Sequence, residues 1–325
     1  MSAVVRPEVT IVVAARERFS AARLTLETLY AVTPPPFRLV YVDGGSPAAT
    51  ARYRRAAAAA RDFELLRHEA HLSPDAARNL GFERVRTPYV VFLDNDVAVA
   101  PGWLDALIGC AEDSGASIVG PLYCVDRPWH TKVHMAGGPA HIEEHGGVRR
   151  FVEEHRFLHR PLASVRPALE RAPAQQAEFH CMLVRSALMR ELGPLDERFR
   201  GVPEAQIDRC LAARARGHEV YFEPAAVVTY DRSPRLRLSD LRFFLWRWSD
   251  ARCRAGLEHF RRTWSLDADD PYFARQLAFM AAHRRRALRS LRPIWLALRV
   301  LGRDGRLRAA DRLVAAASAL AASAP

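Results

Sequence analysis

The strongest constraint on this chain is an apolar run, Tyr89-Val90-Val91-Phe92-Leu93, that ends on two carboxylates one residue apart, Asp94 and Asp96. An uninterrupted apolar run of this length suits a strand buried on both faces, and such strands belong to parallel sheets covered by helices. In open α/β sheets, ligands bind at the carboxyl ends of the strands. The D-x-D turn therefore delivers acidic oxygens to the edge where a ligand would sit. Mg²⁺ and Mn²⁺ take oxygen donors and are commonly held by one or two carboxylates together with substrate phosphates. Taken alone, the same residues read more readily as a polar turn, since Asp and Asn are ordinary turn formers.

The surrounding pattern favours the first reading. Residues 8–15 (EVTIVVAA) predict a buried strand, and Ser20 to Val32 a helix with Leu24, Leu26, Leu29 and Tyr30 inward. The Pro34-Pro35-Pro36 run stops that helix. Phe37 to Val42 reads as a second strand closed by the turn Asp43-Gly44-Gly45-Ser46, followed by a helix over 48–61 and a short strand over 63–66. Ser73 to Val85 reads as a helix with Ser73 as N-cap and Pro74 in its first turn. Beyond the acidic turn come a helix over 103–114 and a strand over 116–119. This β-α alternation implies a sheet with helices on both faces. From Pro121 to Gln176 it dissolves into an irregular insertion or short hairpins. It then resumes with a strand over 178–184, helices over 186–192 and 207–216, and strands over 219–222 and 226–230. After Pro234 the sequence reads as helical.

Composition narrows the class. Of 325 residues, 49% are apolar, enough for a sizeable core. No apolar run approaches the roughly 18 residues of a membrane span. The N-terminal residues read without a signal peptide. The five cysteines (Cys110, Cys124, Cys181, Cys210, Cys253) are scattered and never in C-x-x-C spacing, which predicts reduced thiols in a cytoplasm. The net charge of +11 is uneven: residues 232–325 hold 20 arginines against 8 acids. Such a tail could face nucleic acid, an anionic membrane or solvent, but it carries no recognisable nucleic-acid module.

Taken in order, EVTIVVAARERF, LVYVDGGS, SPDAARNLGFE, YVVFLDND, ASIVGP, FHCMLVRSAL, GPLDERF and IDRCLAARARGHEVYFEPAAVV resemble the family 2 glycosyltransferases over about residues 8–231. These are inverting, nucleotide-sugar-dependent enzymes of the GT-A fold. The resemblance implies a Rossmann-like α/β domain with a mostly parallel central sheet over 1–231, split into a nucleotide-sugar half (1–120) and an acceptor half (121–231). A basic helical extension over 232–325 follows. By resemblance, Arg16, Glu17, Asp43, Arg78, Asn79, Asp94 and Asn95 surround the nucleotide sugar, and Asp96 with Asp94 holds Mn²⁺ or Mg²⁺ on the diphosphate. UDP is the default donor nucleotide, with GDP and dTDP open. The expected activity is transfer of one sugar to a carbohydrate, lipid-linked or natural-product hydroxyl.

The chain departs from the family pattern at two places. Relatives carry an acid-acid-x-Asp segment at the start of the helix that here ends near Gly217. Asp208 fits its last position, but the pair falls on Ala205 and Gln206, with Glu204 one residue early. Glu204 or Asp208 is therefore expected to be the base; a binding-only scaffold is the alternative. Nucleotidyl transfer is disfavoured because VVAARERF holds no glycine. Second, many relatives carry a His after the last strand, where Tyr230 and Asp231 stand here. His130/His134, His141/His145 and His155/His159 have the i,i+4 spacing of zinc pairs, but intervening glycines argue against one helix. They read as polar loop residues, with His134 toward the acceptor. Leu241, Phe243, Phe244, Leu245, Trp246 and Trp248 among arginines fit either an interfacial helix at the inner membrane face or a helix packed on the catalytic domain.

Overall fold

The apolar run that ends on Asp94 is one strand of a ten-stranded sheet in a computed structural model that describes residues 9–232 and 236–289. In chain order the elements are β1 (Val9–Ala14), α1 (Ala22–Val32), β2 (Arg38–Gly44), α2 (Ala48–Arg61), β3 (Glu64–His68), α3 (Pro74–Phe82) and β4 (Tyr89–Asp94). They continue with β5 (Val97–Val99), α4 (Trp103–Ser114), β6 (Ile118–Val125), β7 (Val133–Met135), β8 (Ala140–His145), β9 (Val148–Glu153), α5 (Leu162–Val165) and β10 (Ala172–Ala174). β11 (Cys181–Arg185), α6 (Ser186–Leu192), α7 (Glu204–Arg214), β12 (Val220–Tyr230), α8 (Leu238–Arg247), α9 (Asp250–Thr263) and α10 (Pro271–Arg289) follow among the described residues.

The sheet order is β10-β12-β6-β11-β4-β1-β2-β3, with β5 on β12 and β7 on β6. β3, β2, β1 and β4 run parallel, as their helical crossovers require. Beyond β4 the sheet becomes mixed: β11 lies antiparallel between β4 and β6. The chain reaches β11 by a long excursion instead of a helical crossover, which lifts the constraint to parallel pairing. Alternate residues of β1 face opposite layers. Val9, Ile11 and Val13 pack under Leu26 and Leu29 of α1 and Trp103 and Leu107 of α4. Val12 and Ala14 pack under Ala77 of α3, in a cluster that also takes Met189 of α6 and Cys210 of α7. The two expected strands over 219–230 are one strand, β12, with a register shift between Glu223 and Val227.

Part of the 121–176 segment is regular. β8 and β9 form a hairpin whose turn, Gly146-Gly147, has φ of 59° and 79°, the left-handed pair that a two-residue hairpin favours. That hairpin meets the C-terminal helices through Phe151, which packs edge-on against Phe260 and Tyr272. α8 directs its apolar side chains onto the sheet domain: Leu241, Phe243, Phe244 and Trp248 are buried, and Phe243 stacks on Phe19 at 4.3 Å. Leu245 is exposed, and Arg252 lies 3.9 Å over the Trp246 ring. Packing on the domain accounts for most of this helix's aromatics. All five cysteines are free and buried. No helix of the described residues is long and apolar enough to cross a membrane. The Ala/Arg-rich tail past residue 289 lies outside the described residues.

Close packing of α3 on the sheet generates a test. A Cβ on Gly81 would meet Val12 Cγ1 at 2.3 Å and Val42 Cγ2 at 3.2 Å. In an exposed helix Gly→Ala gains roughly 1 kcal/mol, whereas overpacking a core costs typically 1–3 kcal/mol. Val12 is β-branched and stiff, so the clash should win. Gly81→Ala is expected to lose about 1–2 kcal/mol in urea unfolding; a gain would show that the helix can retreat from the sheet.

Candidate active site

Asp94, Asn95 and Asp96 are at most 1% exposed, so each charge there needs partners. Thr25 of α1 fixes the turn's path: its hydroxyl donates to Val97 O (2.8 Å) and accepts from Val97 N (2.9 Å). Asn95 turns inward and donates to Arg18 O at 2.8 Å. Asp94 Oδ1 accepts from Arg78 Nη2 at 2.7 Å, and Oδ2 lies 2.9 Å from His180 Nδ1. Burial alone would raise the Asp94 carboxyl, but the Arg78 charge and His180 outweigh it and hold the group below its ordinary value. Asp96 Oδ2 accepts from Arg16 Nε (3.1 Å) and Nη2 (2.9 Å). Its Oδ1 is buried with no hydrogen-bond partner. A buried acceptor left unmade costs roughly 1–3 kcal/mol, and a cation there would satisfy it. Asp94, Asp96 and His180 each present one donor atom within 4.8 Å of the others. The donor set thus fits a divalent ion, with the Arg16 guanidinium covering Asp96 as the group that would have to move aside.

Glu17, which the resemblance placed near the nucleotide, accepts from Trp248 Nε1 (2.9 Å) and lies 2.7 Å from His283 Nε2. Burial raises its carboxyl, but Arg16 and His283 bring it well below the ordinary value. Asp43 is fully engaged: it accepts from Ser46 N and Oγ, Arg54 and Arg67. Asn79 points away from the acidic turn. It bonds both the N–H and the C=O of Leu195 and so clamps the Gly193–Asp196 turn.

A cavity of about 540 Å³ opens beside Asp94, lined among others by Arg16, Arg78, Glu178, His180, Gln206 and Tyr230. His134, His155 and His159 reach it too, whereas His141 and His145 sit on the exposed hairpin. No i,i+4 pair shares a helix; His134 meets His155 and His180 across the fold, with ring centres 4.8 and 6.1 Å away. His180 stacks on Tyr230 at 4.0 Å. Glu178 lies 3.1 Å from His134 Nε2. Burial raises Glu178, yet His134 and His180 hold it far below the carboxylate range. Neither Glu204 nor Asp208 is among the lining residues. Four positions apart, they share one helix face, and that face meets the C-terminal helices: Tyr272 Oη donates to Glu204 at 2.9 Å and Trp264 Nε1 to Asp208 at 3.0 Å. Gln206 faces the cavity between them. The carboxylates that do line it are Asp75, Asp94, Glu153 and Glu178. The sequence reading missed Glu153, Glu178 and His180; the only signal was an unusual density of histidines in 130–180.

Residues 10–169, just under half of the chain, match the family model described as glycosyl transferase family 2. The pre-mycofactocin glycosyltransferase of Mycobacterium tuberculosis is 27% identical over 230 residues, 71% of this chain and 44% of that protein. The chain therefore spans less than half the length of that relative. Among solved structures, GalNAc-T7 with UDP, GalNAc and Mn²⁺ aligns with a TM-score of 0.54 at 14% identity, over 86% of this chain and 57% of the other. The mannosyltransferase PcManGT of Pyrobaculum calidifontis with GDP-Man and Mn²⁺ aligns at 0.50 and 16% identity, over 98% and 87%. The fold is GT-A, a mixed α/β sheet with helices on both faces and C-terminal helices added.

The Tyr272–Glu204 contact carries a pH signature. Burial pushes the Glu204 carboxyl up to about 7 despite the Tyr272 hydrogen bond. A carboxyl raised on folding contributes stability that is full below its unfolded value and lost as pH rises through the folded one. Glu204→Gln should therefore match wild type below about pH 4.3 and exceed it by on the order of 3 kcal/mol near pH 8. Melting curves across that range check this; a difference independent of pH would contradict it.

Proposed function

We propose that this chain is a family 2 glycosyltransferase that moves one sugar, with inversion, from a nucleoside-diphosphate donor to a hydroxyl acceptor. The observation that carries the reading is the buried D-x-D turn, with Asp96 Oδ1 unpartnered, beside an arginine-lined cavity at the strand ends. The family match over residues 10–169 supports it. Arg16, Arg78 and Arg247 line the cavity, and guanidinium groups suit diphosphate oxygens. Burial lowers Arg247 to about 10, so it stays cationic at neutral pH. Asp96 and Asp94 would hold Mn²⁺ or Mg²⁺, which supplies Lewis-acid stabilisation of a departing diphosphate.

Displacement of the diphosphate by an acceptor hydroxyl requires a base for the hydroxyl proton. Gln206 offers none. Glu178 is held too low to be an effective base, and Asp94 and Asp75 are engaged by Arg78. Glu153, 3.2 Å from His155 Nε2 on the cavity wall, takes the role in place of the expected Glu204 or Asp208. Leu158 and Phe279 line the same cavity and are 45% and 55% exposed. Their apolar surface suits an acceptor with a lipid or aromatic body. Binding without turnover would instead favour the scaffold reading that Gln206 motivates.

The direct test is turnover of UDP-, GDP- and dTDP-hexoses with alkyl and phenolic acceptors, followed by proton NMR of the product's anomeric centre. The expected result is one active donor, a product of inverted configuration and a roughly 10²–10³-fold loss of kcat in Asp96→Ala. Retained configuration would contradict inversion, and undiminished Asp96→Ala would remove the acidic turn from the chemistry. Glu153→Gln should lose roughly 10²–10⁴-fold; equal losses in Glu204→Gln but not Glu153→Gln would return the base to α7.

A further inference from the structure

Three imidazoles converge on one carboxylate in the cavity wall. His134 Nε2 and His180 Nε2 lie 3.1 and 3.9 Å from Glu178 Oε2, and His155 Nε2 lies 3.9 Å from the other oxygen, Oε1. One donor atom each from His134, Glu178 and His180 falls within 4.8 Å of the others. Glu178 is buried and both imidazoles are nearly so, with side chains 13% exposed. The far nitrogens already have partners: His180 Nδ1 lies 2.9 Å from Asp94, and His134 Nδ1 lies 3.4 Å from Tyr230 Oη. Imidazoles that bind metals almost always have the other ring nitrogen held in this way, which fixes the tautomer and aims the lone pair. With Nδ1–H given to Asp94, the lone pair of His180 is on Nε2 and faces Glu178.

We propose that His134 Nε2, His180 Nε2 and Glu178 form a second cation site, separate from the Asp94–Asp96 turn, that takes a borderline divalent ion of the Zn²⁺ type. Two nitrogens and one carboxylate oxygen suit Zn²⁺ better than Mg²⁺, which prefers oxygen throughout. Three protein ligands with a side open to the cavity match a site that keeps a position for water or substrate. A tetrahedral ion with bonds near 2.0–2.1 Å separates its ligand atoms by about 3.3 Å, and the 3.1 and 3.9 Å separations bracket that value. The i,i+4 histidine spacing in the sequence does not build this site, because its donors come from β7 and the segment before β11. The site stands on these contacts whether or not the transfer reaction proposed above is correct.

Crystals of the full chain soaked in ZnCl₂ test this directly through anomalous scattering at the zinc edge. The expected peak lies between His134, His180 and Glu178. A peak only at Asp94–Asp96, or none, overturns the proposal. In solution, Co²⁺ titration followed by visible absorption should give a low-coordinate spectrum that His134→Ala and Glu178→Ala each abolish. Asp96→Ala should preserve it. Loss of a ligand should weaken binding by more than the roughly 10–100-fold that loss of an outer partner costs. A spectrum unchanged in both His134→Ala and Glu178→Ala, or lost only in Asp96→Ala, would contradict the assignment even if one variant folded poorly.

Discussion

The rest of the site depends on neutralising two carboxylates that β4 carries into the interior. A buried charge costs several kcal/mol unless it is paired and hydrogen-bonded. Asp94 meets this need with Arg78 and His180, and Asp96 with Arg16. Each partner then imposes a demand of its own. Arg78 lies over the Phe179 ring at 4.2 Å and pairs with Asp75, whose other oxygen accepts from Gly201 N. Arg16 reaches Glu17, and Glu17 holds Trp248 and His283. A continuous path of charge-assisted contacts thus runs from the acidic turn to α10. The C-terminal helices are tied to the donor side of the cavity through Glu17, beyond what their apolar packing requires.

The same path explains how one cavity can hold two chemically different walls. One part of the lining is acidic turn plus arginine, a composition that suits an anion together with a hard cation. Another part is imidazole and carboxylate, a donor set that suits a softer ion. His180 stands between them, with one ring nitrogen committed to Asp94 and the other facing Glu178. The apolar side chains of Leu158 and Phe279 lie at exposed positions of the lining.

Much of the first half was legible in the sequence because its signals are local. The apolar runs of β1, β2 and β4, Ser73 capping α3 through Ala76 N, and the acidic turn each depend on neighbours a few residues away. The second half was not legible in the same way. Asp94 meets His180 across 86 residues, and His134 meets Glu178 across 44. These pairings exist only because β11 inserts antiparallel beside β4, which no spacing in the chain announces. Counting acids along α7 offered Glu204 and Asp208, yet positions four apart share a face, and the cavity sees the face that carries Gln206. Aromatics of α8 read equally as membrane-facing or core-facing until Phe19 supplied their partner.

We propose that the Asp94–Asp96 turn is a metal-dependent nucleotide site. Isothermal titration of UDP, GDP and dTDP into wild type and Asp96→Ala, each with and without Mn²⁺, tests it most directly. One nucleotide is expected to bind, more tightly with Mn²⁺, and Asp96→Ala is expected to abolish that strengthening. Equal binding in both proteins, or no binding of any nucleotide with Mn²⁺ present, would contradict it.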